Sequence, residues 1–229
     1  AAYLFDTARF EHCFRIAVQM SRASLLPDHL TLDKNKKSLH PDQIAANCFR
    51  ILNQALRWQI DPFALPDETY VVNNKLGFQG KLVAAVINAR AGLAQSLSVL
   101  YSSGKGDDLA AVIYGSAGEI PHSSREYLKR YCESEDRAAL NELTLAGVLA
   151  VRITVGQAKT QNDMWRKDPE QKLFYTGATK WARRHRPEIM LGVLTDDDLE
   201  RIRVTTEFTG TQPRTIDDLT AKLSQELHQ

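Results

Sequence analysis

The densest group of residues that could perform catalysis is a run of carboxylates, Asp196-Asp197-Asp198 with Glu200. Such a cluster can bind Mg²⁺ and support a nuclease reaction. The run directly follows Thr195, and carboxylates at the start of a helix are stabilised by its dipole, which favours a capping role. The histidines form no metal-binding pair, and neither a Gly-x-Ser-x-Gly motif nor a Walker loop occurs. The sequence therefore predicts a protein that is not an enzyme and has no resident cofactor, while a need for Mg²⁺ stays open.

Basic residues are concentrated between residues 150 and 186, where nine of them stand against three acidic residues. Here Asp168-Pro169-Glu170-Gln171 is typical of a capped helix start, and Pro187 ends the helix. The apolar residues between Phe174 and Ala182 form a buried stripe, and a cationic remainder suits the phosphates of a nucleic acid. The side chains predicted to face solvent or a ligand are Lys172, Tyr175, Lys180, Arg183 and Arg184.

The segment before this helix offers further binding groups. Lys159 supplies a cation, Gln161 a neutral donor, and Trp165 a flat surface on which a base could stack. Trp165 could equally be a core residue at the helix entry, and the sequence leaves both roles open.

A second cationic stretch runs from Thr69 to Gly106 and contains no acidic residue. The hairpin turn Asn73-Asn74-Lys75 and the following Gln79-Gly80-Lys81 lead into a helix N-terminus, where backbone N–H groups favour anions. The basic residues of the stretch are Lys75, Lys81, Arg90 and Lys105.

Composition narrows the class of protein. The 229 residues carry a net charge of only +1, which excludes a uniformly basic nucleic-acid binder, although residues 187–229 hold nine acidic and four basic residues. No apolar run is long enough to span a membrane, and no secretory signal is visible at the N-terminus. Three cysteines without a Cys-x-x-Cys pair argue against a disulfide framework and predict a cytoplasmic location.

The elements that would position these residues follow from periodicity. A helix is predicted over residues 5–26, with its buried face at Phe10, Cys13, Phe14, Ala17 and Val18. A polar loop over 28–40 contains Lys34, Lys36 and Lys37, and a second helix begins at Pro41.

The later elements include strands. Two hairpins are predicted, a helix between them closed by Gly92, a helical or otherwise ordered insertion, and a last strand before the basic helix. The hairpins cover Tyr70–Val72 with Leu76–Phe78 and Leu97–Tyr101 with Leu109–Tyr114. The helix covers Lys81–Arg90, the insertion residues 121–143, and the last strand Val148–Val155. Further helix starts are predicted at Thr195 with Asp198 and at Thr215 with Asp218.

Together these elements predict an α+β fold, a small antiparallel β-sheet with hairpins backed by helices. An N-terminal helical region covers residues 1–66, an α+β core that ends with the basic helix covers 67–194, and an acidic helical region covers 195–229.

Two blocks of sequence resemble the phage single-strand annealing proteins of the RecT type. The first is the strand–turn–strand run into a helix from Tyr70 to Val83, and the second is the Trp-x-x-Asp-Pro-Glu run and basic helix from Trp165 to Glu188. Their order and separation agree with the family over roughly residues 40–200. Lys172 stands where the family usually has Met, and residues 119–145 look like an insertion.

The resemblance implies ATP-independent binding of single-stranded DNA and annealing of complementary strands in phage homologous recombination. It also implies a homo-oligomeric ring or helical filament on single-stranded and annealed duplex DNA, a phage exonuclease as partner, and the cytoplasm of a bacterial host. The alternatives are a Mg²⁺-dependent nuclease and a phage protein-interaction module without DNA activity.

The resemblance assigns oligomer contacts to residues 1–66 and DNA binding to the core 67–194, with the DNA groove between the hairpin and the basic helix. The residues carried over from the family are Lys75, Lys81, Lys159, Gln161, Lys172, Lys180, Arg183 and Arg184. Arg90 and Lys105 are added because of their charge alone, and Trp165 because of its ring.

Overall fold

The computed structural model describes residues 6–72, 75–195 and 197–202, and it has the predicted α+β class. The helices are α1 (Thr7–Met20), α2 (Asp28–Thr31), α3 (Pro41–Trp58), α4 (Gly80–Arg90), α5 (Ser124–Ser134), α6 (Arg137–Leu145), α7 (Val155–Ala158), α8 (Met164–Lys167) and α9 (Pro169–His185). The strands are β1 (Thr69–Val72), β2 (Lys75–Phe78), β3 (Ser98–Tyr101), β4 (Ala110–Gly115) and β5 (Leu149–Thr154). Short 3-10 turns cover Pro66–Glu68, Gly106–Asp108 and Pro187–Met190, and residues 197–202 are also helical.

The strands form two antiparallel sheets. β1 pairs with β2, with Tyr70 opposite Gly77, and β3, β4 and β5 form a second sheet in that order. Both predicted hairpins and the predicted last strand are therefore confirmed. The Asn73-Asn74 turn itself lies outside the described residues.

The three-stranded sheet is covered on both faces, because successive side chains of a strand point to opposite sides. On β4, Ile113 belongs to the core that contains Trp181 of α9, whereas Val112 belongs to a second cluster with Leu128 of α5. The predicted insertion is thus the helix pair α5 and α6, which covers the sheet face opposite α9.

Helix α9 begins as its sequence predicts. The Asp168 carboxylate accepts the Gln171 backbone N–H at 3.0 Å, and Pro169 occupies the first helical position. The helix ends at His185, shortly before Pro187. Trp181 is fully buried and its indole N–H donates to the Leu149 carbonyl at 2.8 Å, so α9 is anchored on β5.

The N-terminal region differs from prediction in two places. Helix α1 ends at Met20 rather than continuing to Leu26, and the segment predicted as a loop contains the single turn α2. The prediction that the α1 stripe is buried is wrong for Phe10 and Phe14, which are 38% and 44% exposed. The reason is that α1 packs on α3 near its margin, where both rings form T-shaped pairs with Phe49 at centroid distances of 5.3 and 5.9 Å.

The same core joins the N-terminal helices to the sheets. The Trp58 indole N–H donates to the Ile189 carbonyl at 3.1 Å, and its ring meets Phe78 edge-on at 5.0 Å. One hydrophobic cluster therefore runs from α1 and α3 through the β1–β2 hairpin to α9. The domain boundaries at residues 66 and 194 stay a prediction.

Acidification is expected to destabilise the fold through His185, because burial, with Arg184 and Arg186 nearby, lowers its pKa despite a hydrogen bond with the Ala150 backbone. Below about pH 6.5 the unfolded chain takes up a proton that the folded chain refuses, which favours unfolding. Urea denaturation at pH 7.5 and 5.5 should show lower stability at pH 5.5 and a smaller difference in His185→Gln. Equal stability of the wild type at both values would contradict the expectation.

Candidate nucleic-acid interface

A cleft of about 520 Å³ lies between the β1–β2 hairpin and helix α9. Tyr70 lines it from the hairpin, and Gln79, Gly80 and Lys81 line it from the start of α4. The remaining lining residues come from α8, α9 and the segment after α9: Met164, Gln171, Lys172, Tyr175, Thr176, Thr179, Thr195 and Asp197. Most of these side chains carry a hydrogen-bond donor, so the cleft suits a ligand rich in acceptors.

The start of α4 brings backbone donors into this cleft. The amides of the first turn of a helix have no intrahelical acceptor. At α4 the side chain of the capping residue Gln79 supplies no hydrogen bond to them either. Gly80 allows the close approach to α9, because a Cβ there would lie 2.9 Å from Cβ of Tyr175. The arrangement favours an anion at this end of the cleft.

A second cleft of about 280 Å³ continues along α9. It shares Thr176, Thr179, Thr195 and Asp197 with the first cleft and extends it to Lys180 and Arg183. We call the two clefts together the α9 groove. Its α9 side follows the helical repeat of three and four residues, at Lys172, Tyr175, Thr176, Thr179, Lys180 and Arg183.

The deepest charge of the groove is a buried ion pair. Lys172 Nζ lies 3.0 Å from Asp197 Oδ1, and the two side chains are only 7% and 6% exposed. Asp197 Oδ2 accepts the Thr176 hydroxyl at 2.6 Å, and Lys172 Nζ lies 5.9 Å from the centre of the Trp165 ring. Of the two predicted environments of Lys172, solvent or a ligand, the solvent-exposed one is wrong, because the helical segment that begins at Asp197 places a carboxylate over it, although Lys172 still lines the cleft.

Arg183 is paired in a similar way at the surface. Its guanidinium makes a two-pronged hydrogen bond with Asp198, whose carboxylate also accepts the Thr195 backbone N–H at 2.8 Å. Burial raises the pKa of Asp198, but the hydrogen bonds and charge of Arg183 and the Thr195 N–H outweigh it and hold that pKa below its usual value. The capping role predicted for the acidic run is thus confirmed at Asp198.

Lys180 points its ammonium group at the sheet and donates to the Arg152 carbonyl at 2.9 Å. Burial lowers the pKa of Lys180, with Arg184, Arg152 and Arg201 acting in the same direction against Glu135. A phosphate close to Lys180 would relieve this mutual repulsion of cations.

The hairpin adds two of the predicted cations. Lys81 lines the first cleft and lies 2.9 Å from Glu68. Lys75 is exposed and opposite Val72 in the hairpin, and this pair shares a face with Tyr70 and Gly77. Lys75 therefore lies on the side of the hairpin that faces the α9 groove.

The other predicted residues do not line the groove. Arg90 donates to the Trp58 and Gln59 carbonyls and so caps α3, while Lys159 pairs with Asp107 at 3.1 Å. Trp165 is buried, and its indole N–H donates to Thr160 at 3.3 Å, so of its two roles the core role is the one the structure supports. The remaining predicted site residues, Lys105, Gln161 and Arg184, are exposed but lie outside both clefts.

Sequence reasoning missed the neutral part of the groove. Thr176 and Thr179 share the α9 face of Lys172 and Lys180, and that spacing was a usable signal. The acidic run made Asp197 visible in the sequence, but its pairing with Lys172 was not, because the two residues lie on different elements.

Two further observations concern metals and membranes. Within residues 6–72, 75–195 and 197–202, no three His, Cys, Asp or Glu side chains are grouped so that they could hold a metal ion. Over the same residues, no helix combines the length and the apolar character needed to cross a bilayer.

Comparison with known proteins identifies one relationship. The chain matches the RecT family over residues 25–210, which includes the hairpin, the sheets, α9 and the Asp197–Asp198 segment. No curated protein and no solved structure matches the chain. Because the match covers most of its 229 residues, the chain belongs to the RecT family.

Proposed function

We propose that the α9 groove binds single-stranded DNA and that the protein anneals complementary strands without ATP. Membership of the RecT family implies a single-strand annealing recombinase rather than a catalytic enzyme. The observation that supports the groove as the DNA site is its continuous row of hydroxyl, amide and cationic groups along one face of α9, next to the α4 amides.

Donors of this kind match phosphate and sugar oxygens. Contacts to the backbone position a strand without reading its sequence, which leaves the base edges free to pair. Annealing needs this division, because the complementary strand supplies all of the specificity.

Phosphates would compete with the protein's own carboxylates for the groove cations. Arg183 already holds Asp198 with two parallel hydrogen bonds, the geometry in which guanidinium groups also bind phosphate. Lys81 lies beside Glu68 in the same way at the other end of the groove. We expect the strand to take over these exposed cations, while the buried Lys172–Asp197 pair stays intact beneath it.

One groove holds only a short strand. Lys172 and Arg183 are eleven residues apart on α9, about 16 Å at 1.5 Å per residue. At about 3.4 Å per nucleotide this corresponds to roughly five nucleotides. Stable pairing of longer DNA therefore requires several subunits in a row, as in a ring or helical filament.

The α1 surface is the proposed subunit contact. Phe10, Phe14 and Leu56 are each about 40% exposed there, and a cleft of about 680 Å³ lies beside them between α1 and the end of α3. Repetition of one head-to-tail contact produces a ring or an open filament. The proposal includes a phage exonuclease as partner and the bacterial cytoplasm as location.

Charge reversal in the groove tests the DNA site. Lys180→Glu with Arg183→Glu is expected to weaken binding of a labelled single strand at least tenfold. The loss of two phosphate contacts should also lower the slope of log affinity against log salt by about 1.4. Fluorescence anisotropy across a salt series measures both quantities.

The matched control is Arg125→Glu with Lys129→Glu, which makes the same charge change on exposed α5 positions. This variant should bind DNA nearly as the wild type does, and circular dichroism verifies that all three proteins fold. Unchanged affinity and slope in the groove variant would remove α9 from the site. Degradation of the strand with Mg²⁺, instead of faster duplex formation, would support a nuclease.

A further inference from the structure

The hairpin borders the α9 groove on one face and a further cleft, separate from that groove, on the opposite face. In the β1–β2 register, Tyr70 and Gly77 share one face and Val71 and Leu76 share the other. Tyr70 lines the α9 groove, whereas Val71 and Leu76 line a separate cleft of about 520 Å³. The hairpin therefore stands between two clefts.

This cleft, which we call the α2–α3 cleft, is bordered by cations. Lys34 and Arg50 line it, and Lys36 and Lys37 belong to the same loop. All four side chains are exposed, and none has an ion pair with a carboxylate in the described part of the chain. We call these four residues the α2–α3 patch.

The patch differs from the α9 groove in this lack of neutralisation. In the groove, Lys81, Lys172 and Arg183 are each paired with a carboxylate of the protein. Among the described residues that line the α2–α3 cleft, Asp33 is the only acidic one. Its carboxylate accepts the backbone N–H groups of Asn35 and Lys37 at 2.8 and 2.9 Å. A group of four exposed cations without a carboxylate partner among the described residues thus lies on the side of the hairpin away from α9, in addition to the single exposed Lys75 on the α9 side.

The loop that carries the lysines has a defined conformation. Its ends are joined by a bridge between Leu32 and Ser38, and the Asp33 N–H donates to the Lys37 carbonyl at 2.8 Å. Lys36 adopts the left-handed conformation with φ of 59°. Asn47 of α3 donates to the Leu30 carbonyl at 3.0 Å, which fastens α2 to the helix that carries Arg50.

We propose that the α2–α3 patch is a second site for single-stranded DNA, which holds the incoming complementary strand while the α9 groove holds the first. This inference rests on the proposed function. Two strands approach each other only when the phosphates of both are neutralised. The α9 groove supplies cations for one strand, and several of these cations are already paired with carboxylates of the protein.

The distance between the sites suits this task. Stacked sheets lie about 10 Å apart, so the side chains on each face of one sheet extend about 5 Å from its plane. Groups on the two faces are then about 10 Å apart, which exceeds the screening length of about 8 Å at physiological salt. Strands on opposite faces of the hairpin would therefore repel each other only weakly, yet both would lie beside the same pair of β-strands. Val71, which is 40% exposed, and the half-buried Leu32 and Leu39 line the α2–α3 cleft and offer apolar surface to unstacked bases.

The test separates loading of the first strand from annealing. The patch variant is Lys34→Gln with Lys37→Gln and Arg50→Gln, which leaves the left-handed Lys36 unchanged. The control is Arg125→Gln with Lys129→Gln and Arg137→Gln, the same loss of three charges from exposed positions on α5 and α6. Anisotropy with a labelled thymidine homopolymer measures the first strand, and stopped-flow quenching between two complementary oligonucleotides measures annealing.

The patch variant should bind the homopolymer within threefold of the wild type but anneal at least tenfold more slowly, with a shallower salt dependence. The control should match the wild type in both assays. Normal annealing by the patch variant would overturn the proposal and leave the patch to another partner, such as an acidic protein segment. An equal loss in both assays would place the patch in the first-strand site and also overturn it. Failure of the wild type to bind the homopolymer would instead refute the proposed function, and this inference with it.

Discussion

Replacement of Asp197 by alanine is expected to lower the free energy of unfolding by about 3–5 kcal/mol, because it leaves the Lys172 ammonium buried without its counter-charge. The pair is almost inaccessible to water, with a distance of 3.0 Å between Nζ and Oδ1. The Thr176 hydroxyl would lose its acceptor in the same substitution. Urea denaturation of the wild type and the variant measures the difference.

Two comparisons make this expectation specific. Asp163→Ala removes a carboxylate from exposed pairs with Arg166 and Lys167 and should cost less than about 1 kcal/mol. Lys172→Met combined with Asp197→Leu removes both buried charges and should be less destabilising than Asp197→Ala alone. If Asp197→Ala costs no more than Asp163→Ala, the burial of the pair is refuted.

The substitution Gly177→Ala is expected to destabilise the protein by up to about 2 kcal/mol, although Gly177 lies inside a helix. Helix propensity alone favours Ala over Gly by about 1 kcal/mol. A Cβ at this position, however, would overlap Cδ1 of Ile113 and lie 2.8 Å from its Cγ1. Overpacking of a filled core costs about 1–3 kcal/mol, so the clash outweighs the propensity.

A double-mutant cycle identifies the cause. Ile113→Val removes Cδ1, the atom that the new Cβ would overlap, so Gly177→Ala should cost less in this background than in the wild type. The free energy of unfolding of the four proteins gives the coupling between the two sites. Stabilisation by Gly177→Ala in the wild type would mean that α9 does not pack this closely on β4.

The two substitutions concern the same functional element. Gly177 sets how closely α9 approaches the sheet, and Asp197 holds the helical segment 197–202 against the groove. Both therefore affect the width of the α9 groove without supplying a contact to DNA. Loss of DNA binding in either variant would need to be read together with its stability.

Local patterns were sufficient to predict most of the elements. Asp168 and Pro169 specify the start of α9 through groups only a few residues apart, and Pro41 does the same for α3. The β1–β2 hairpin was predictable for the same reason, because its partners are adjacent in the chain. The end of α1 and the exposure of Phe10 were not, since they depend on what α3 covers.

The predicted site was only partly assembled by the fold. Lys81, Lys172, Lys180 and Arg183 do line one groove. Charge alone also selected Arg90, but its position at the end of α3 makes it a cap for the Trp58 and Gln59 carbonyls. A cation in a sequence does not reveal its acceptor, because that acceptor can lie on any element that packs beside it.

The sequence by itself determined the α+β class, the order of hairpins and helices, and the resemblance to the RecT family, because these depend on caps, periodicity and residues close together in the chain. Only the tertiary structure decided which cations are neutralised within the protein. Ion pairs such as Lys172–Asp197 join residues that the packing of separate elements brings within 3.0 Å. The same packing left Lys34, Lys36, Lys37 and Arg50 unpaired within the described residues, although the sequence predicted that segment as no more than a polar loop.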